Sequence, residues 1–186
     1  MNLPTAVDAF QTFLAPKNVE LFERHHIFSK TEMESRYEIS LDTYSKIIRI
    51  EGLTMVNMAH KQILPAVNRY VSELSTTVNR KGAIETSAAN LGEDFEASSI
   101  SCKMELSLIA KLSGLLDQAF SQAEDLSSKL DKASSIKDGL ESAKYYRDVI
   151  LPAMNALRAS CDTMEVYTPA DIWPFPTYGA LLFSVD

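Results

Sequence analysis

Few residues of this 186-residue chain combine the type and the spacing that chemistry needs. Glu32, Glu34, Glu38 and Glu51 share one stretch, and two of them can meet at helical spacing. A carboxylate metal site in a helical bundle also uses histidine three residues after glutamate. No such Glu-x-x-His pattern is read in the chain, so solvated or salt-bridged carboxylates are expected. His25 and His26 are adjacent, so they point to different faces of a helix and make a poor metal pair. Cys102 and Cys161, with His25, His26 and His60, show no zinc spacing. The six glycines are scattered, so no phosphate-cradling loop forms, and no nucleophile elbow or dinucleotide fingerprint occurs. Arg36-Tyr37-Glu38 is the densest polar group and suits an inter-helix or inter-domain ion pair. These residues assign no catalytic, cofactor-binding or metal-binding role.

The elements that position these residues are helices. Ser29-Lys30-Thr31-Glu32 is a capping box, in which the hydroxyl and the carboxylate each satisfy an amide of a helix start. Met33, Tyr37, Leu41, Tyr44, Ile48, Gly52, Met55, Ala59, Ile63, Ala66, Tyr70 and Leu74 then recur in steps of three and four, on one helical face. The first turn signal is Lys81-Gly82. A helix of about 50 residues reaches roughly 75 Å, the length of a bundle spine or a coiled-coil arm. Pro65 removes a backbone donor and predicts a kink at 61–65. Gly52, Ala59 and Ala66 lie seven apart and suit close helix packing.

Residues 82–99 read as a long polar connection carrying Gly82 and Gly92. A further helix is expected from Ser99 or Ile100, with Met104, Leu108, Leu112, Leu115, Ala119, Ala123, Leu126 and Leu130 inward. After a polar turn at 132–139, another carries Leu140, Ala143, Tyr146, Ile150, Met154, Leu157, Cys161 and Met164. Pro152 interrupts it as Pro65 interrupts the spine, and Ile63-Leu64-Pro65-Ala66 matches Ile150-Leu151-Pro152-Ala153. Two short helices precede the spine, one with Ala6, Phe10, Phe13 and Leu14 inward, one starting at Pro16. The chain closes with Trp173-Pro174-Phe175-Pro176-Thr177-Tyr178 and Leu181-Leu182-Phe183. So aromatic a tail is expected to fold back onto an apolar surface, burying Trp173. The fold class is all-α: an antiparallel bundle of long kinked helices, with short N-terminal helices and a proline/aromatic tail.

A formal net charge of −7 argues against a general nucleic-acid binder. No run of 18 apolar residues predicts a membrane span. The N-terminus has no basic segment followed by an apolar one, so no signal peptide is expected. Both cysteines fall at apolar helical positions, where a buried reduced thiol is the default, which fits a cytoplasmic location.

The wording of the chain resembles the C-terminal region of type III glutamine synthetases. The resemblance rests on Phe13-Leu14-Ala15-Pro16-Lys17-Asn18-Val19-Glu20-Leu21-Phe22-Glu23, Ser35-Arg36-Tyr37-Glu38-Ile39 and Ile50-Glu51-Gly52-Leu53-Thr54-Met55-Val56-Asn57-Met58-Ala59. It continues through Ile63-Leu64-Pro65-Ala66, Tyr145-Tyr146-Arg147-Asp148, Leu151-Pro152-Ala153-Met154-Asn155-Ala156-Leu157-Arg158 and Trp173-Pro174-Phe175-Pro176-Thr177-Tyr178. The main departure is Gly52, where the family usually has Ala. The resemblance implies a large, ring-forming, bacterial-type ligase that joins ammonia to glutamate through a γ-glutamyl phosphate, using ATP and Mg or Mn. Its catalytic residues lie upstream, and none maps here. Residues 1–16 then read as the end of the catalytic portion or a docking helix, and 17–186 as the C-terminal bundle. The expected partners are the catalytic domain of the same chain and neighbouring subunits, with neither nucleic acid nor membrane. The alternative is a stand-alone helical interaction or sensor module without activity.

Overall fold

The capping box forms as its spacing requires. In the computed structural model, Ser29 donates from its backbone N–H and its Oγ to Glu32 Oε2, both at 2.8 Å, and Glu32 N–H donates back to Ser29 Oγ at 3.3 Å. The structure describes residues 5–91, 100–176 and 178–183. Every regular element among them is helical. They are α1 (Ala6–Phe13), α2 (Pro16–Arg24), α3 (Lys30–Met58), α4 (Leu64–Leu91), α5 (Lys103–Ser134), α6 (Gly139–Tyr145), α7 (Leu151–Tyr167) and α8 (Tyr178–Phe183). The π-helical turn Ala59–Ile63 joins α3 to α4, and a second, Tyr146–Ile150, joins α6 to α7.

Those two turns replace the expected interruptions at Pro65 and Pro152. Proline lacks the amide donor and crowds the carbonyl four residues back. The helix answers by widening one turn in front of it. Leu64 N–H bonds to Ala59 O, and Leu151 N–H bonds to Tyr146 O, each five residues back. Both π turns start six residues before their proline and end two before it. The extra residue also shifts the buried face of α4, so that Val67 is fully buried while Ala66 stays half-exposed.

The packing divides into two units, 1–56 with 124–155, and 57–123 with 156–186. In the first, Val7 of α1 clusters with Leu41 and Ala143, flanked by Phe10, Tyr37, Tyr44 and Leu140. The short α1 therefore buries Val7 against α3 and α6, with Phe10 half-buried beside it. Gly52 of α3 faces Leu130 of α5 so closely that an added Cβ would lie 3.1 Å from Leu130 Cδ2. In the second unit the helices run antiparallel. Lys81 pairs with Glu105 and the His60 ring meets Phe120 edge-on, while on α7 Ser160 donates to Gln122 and Tyr167 accepts from Lys111.

Four expectations need correction. Gly82 does not end the spine, and α4 runs on to Leu91. A single glycine costs a helix only about 1 kcal/mol, and Lys81 ties this turn to α5. The rest of the expected connection, 92–99, lies outside the described residues. Next, α5 starts at Lys103, with the Cys102 carbonyl accepting from Leu106 N–H, so Cys102 caps the helix and is only half-buried. Third, Met104 is 64 % exposed, because in the first turn of α5 the packed position is taken by Glu105, which pairs with Lys81. Finally, the tail splits: Trp173 is 8 % exposed, whereas Leu181, Leu182 and Phe183 are 61, 74 and 79 % exposed. Pro174 and Pro176 deny the chain a continuous helix after Trp173, and the six-residue α8 covers none of these last three side chains.

Candidate functional site

The residues with chemical potential do not converge. Glu32 is committed to the cap of α3, and hydrogen bonds from Ser29 hold its carboxyl below the usual glutamate value. Glu34 pairs with Lys30 at 3.7 Å, one turn away, and Glu38 and Glu51 are exposed. The sequence does contain one Glu-x-x-His spacing that pattern reading passes over, Glu23 to His26. Glu23 Oε1 accepts from Lys30 N–H at 3.1 Å, and His26 leaves α2 in the left-handed region at φ 53°. Among the described residues no group of three His, Cys, Asp or Glu is placed to hold a metal ion. Cys102 and Cys161 are free thiols, and burial pushes Cys161 up to about 11.

Two polar clusters escape sequence reasoning because their partners are far apart in the chain. Arg147, in the second π turn, grips Asp148 with Nε at 2.7 Å and a terminal nitrogen at 2.9 Å. Its other terminal nitrogen reaches Asp8 at 3.0 Å and Thr5 Oγ1 at 3.4 Å. Thr5 Oγ1 also accepts from Asp8 N–H, capping α1. The hydrogen bond to Asp148 raises the Arg147 guanidinium and lowers the Asp148 carboxyl. Lys81 Nζ donates to Glu105, only 4 % exposed, and to the Ser101 carbonyl at 3.2 Å. That bond holds Glu105 below the usual carboxylate range. Both clusters tie helices together: Arg147 joins the second π turn to α1, and Lys81 joins α4 to α5.

The concave surface with most character lies in the first unit. Phe10 and Phe13 of α1, Phe28 just before α3, and Arg36, Tyr37 and Ser40 of α3 line a groove of about 400 Å³. The Phe22 ring contacts two of these rings, its centroid 5.9 Å from Phe13 and 5.8 Å from Phe28. The Arg36 guanidinium lies over the Phe28 ring, 4.2 Å from its centroid. Arg36 and Tyr37 were legible as a polar word in the sequence. Their aromatic surround was not, because it comes from two other segments.

The fold is that of an all-α class: long amphipathic helices with polar ties between them. Residues 1–82 match the family model of the glutamine synthetase C-terminal domain. The chain is 33 % identical over 184 residues to a glutamine synthetase of Butyrivibrio fibrisolvens, covering 99 % of this chain and 25 % of that protein. It is 26 % identical over 184 residues to a type-3 glutamine synthetase of Dictyostelium discoideum, covering 98 % of this chain and 24 % of that protein. A glutamine synthetase of Bacteroides fragilis is 26 % identical over 158 residues, with 85 % of this chain and 21 % of that protein covered. Residues 1–82 thus resemble a glutamine synthetase C-terminal domain, and the similarity to glutamine synthetases runs along nearly the whole chain. It spans about a quarter of the length of the curated relatives it matches.

Proposed function

We propose that the chain is the C-terminal helical portion of a type III glutamine synthetase and serves inter-domain and subunit packing there. The observation that carries this is similarity along nearly the whole chain to relatives about four times its length, one of them named type-3. The whole enzyme would join ammonia to glutamate with ATP and Mg or Mn, in a bacterial-type, cytoplasmic, ring-shaped oligomer. No helix among the described residues is long and apolar enough to cross a membrane. Residues 1–16 would lead out of the catalytic portion. Ile39, Ile47, Ile50 and Leu53 are exposed along α3 opposite its buried side, and give the domain apolar area to bury on the catalytic portion.

A stand-alone interaction module is the competing reading, and the reading frame upstream of Met1 separates the two. Glutamine synthetase motifs there support the proposal, and their absence refutes it. The chain by itself should neither bind Mg-ATP nor make glutamine, because its described residues offer no phosphate cradle or metal cluster. Calorimetric titration with Mg-ATP checks this, and saturable micromolar binding would reveal a nucleotide site in the chain.

A further inference from the structure

We infer that the groove between α1, Phe28 and α3 is a docking site for an acidic, apolar polypeptide segment. The walls are aromatic, from Phe10, Phe13 and Phe28, so the groove favours a large aliphatic or aromatic side chain. Its charged group is Arg36, and stacking on Phe28 holds the guanidinium at the groove edge. No carboxylate among the described residues lies within salt-bridge distance of it. Glu32, one turn back on α3, feels the Arg36 charge, but its carboxylate takes its hydrogen bonds from Ser29 and leaves the guanidinium donors open. The Tyr37 hydroxyl likewise has no hydrogen-bond partner among the described residues. An arginine fork and a phenol beside an aromatic slot match a carboxylate flanked by an apolar residue.

The shape favours polypeptide over a small molecule. A small-ligand site encloses most of its ligand. Here none of the groove-lining residues is itself buried, so the groove covers one face of its occupant and leaves the other to solvent. A peptide can lay one side chain into such a slot and keep its backbone in water. Ser40 is already satisfied, donating to the Arg36 carbonyl at 2.8 Å, so specificity falls on Arg36 and Tyr37. This inference does not depend on the glutamine synthetase reading.

The test is fluorescence anisotropy on the 186-residue chain. The probe is a labelled tetrapeptide of two leucines flanked by glutamates, compared with its glutamine counterpart. The acidic peptide should bind with Kd of about 100 μM and the glutamine peptide about tenfold more weakly, the usual worth of one charge-assisted contact. Arg36→Gln should abolish the preference, so that the acidic and the neutral peptide bind alike. Arg36 is exposed on a helix surface, so the variant should keep its helical circular dichroism. Phe28→Leu should weaken both peptides. Equal affinity for the two peptides, no effect of Arg36→Gln, or no binding at millimolar peptide would each overturn the inference. Displacement by 4-phenylbutyrate at equal affinity would make the groove a small-carboxylate site instead. A dimer in sedimentation that Arg36→Gln dissolves would make a second copy the occupant.

Discussion

The π turn Ala59–Ile63 and the π turn Tyr146–Ile150 precede near-identical words, Leu64-Pro65-Ala66 and Leu151-Pro152-Ala153, and stand in the same register to their prolines. What they carry differs. The first presents Ala59 and Ile63 inward, and its His60 ring meets Phe120 edge-on. The second buries the larger Tyr146 with Ile150 and turns Arg147 toward Asp8 and Thr5 of the α1 start. The proline word fixes the backbone device, and the residues in front of it decide what the device is used for. A widened turn rotates its side chains relative to a regular helix. At 146–150 that rotation accompanies an anchor for a helix more than a hundred residues earlier.

The largest effect should come from the inward isoleucines. Ile150→Ala removes a fully buried side chain and should cost about 4 kcal/mol, and Ile63→Ala, at a slightly more open site, about 3 kcal/mol. Urea unfolding monitored by circular dichroism measures both, and the reverse order would break the link between burial and the two turns. Next, Arg147→Gln should free α1 without unfolding the chain. Hydrogen exchange of residues 6–13 should then accelerate at least tenfold, whereas Lys61→Gln in the exposed part of the other turn changes no distant segment. The Asp148 carboxyl is held below its ordinary value of 3.8 in the folded state. Its contribution is therefore complete above that pH and is lost as pH falls through the lower folded value. Protection of α1 should hold from pH 7 to about 4 and fall below it. The smallest effect is expected at the prolines. Because each π turn already relieves the clash, Pro65→Ala and Pro152→Ala should each shift stability by less than about 1 kcal/mol, and alike. A loss or gain at one site alone would show that the two turns arise for different reasons.

The helix faces were legible because burial follows a 3.6-residue period whatever the partner is. Every spine residue expected inward, from Met33 to Leu74, is buried or half-buried, and so is every one on α6 and α7 from Leu140 to Met164. The capping box was legible because both partners sit within one turn. The π turns were not, since proline announces an interruption and not the form it takes. Gly82 misled because a weak local preference yields to a helix held by a tie 24 residues away, Lys81 to Glu105. The groove joins Phe13, Phe28 and Arg36 from three segments, so its parts were visible and its assembly was not.

Gly52 and Leu130 have a consequence for how this domain can vary. The Leu130 methyls stand 3.1 and 3.2 Å from the place a Cβ on residue 52 would take. Alanine at this position therefore requires the side chain at 130 to shift by a few tenths of an ångström or to be replaced. The two positions are not free to drift separately. Chains with alanine at 52 should carry a shorter or differently branched residue at 130, and a reversion at one site should select for change at the other. Across many relatives that coupling would surface as covariation between residues nearly eighty apart, left by one missing methyl group.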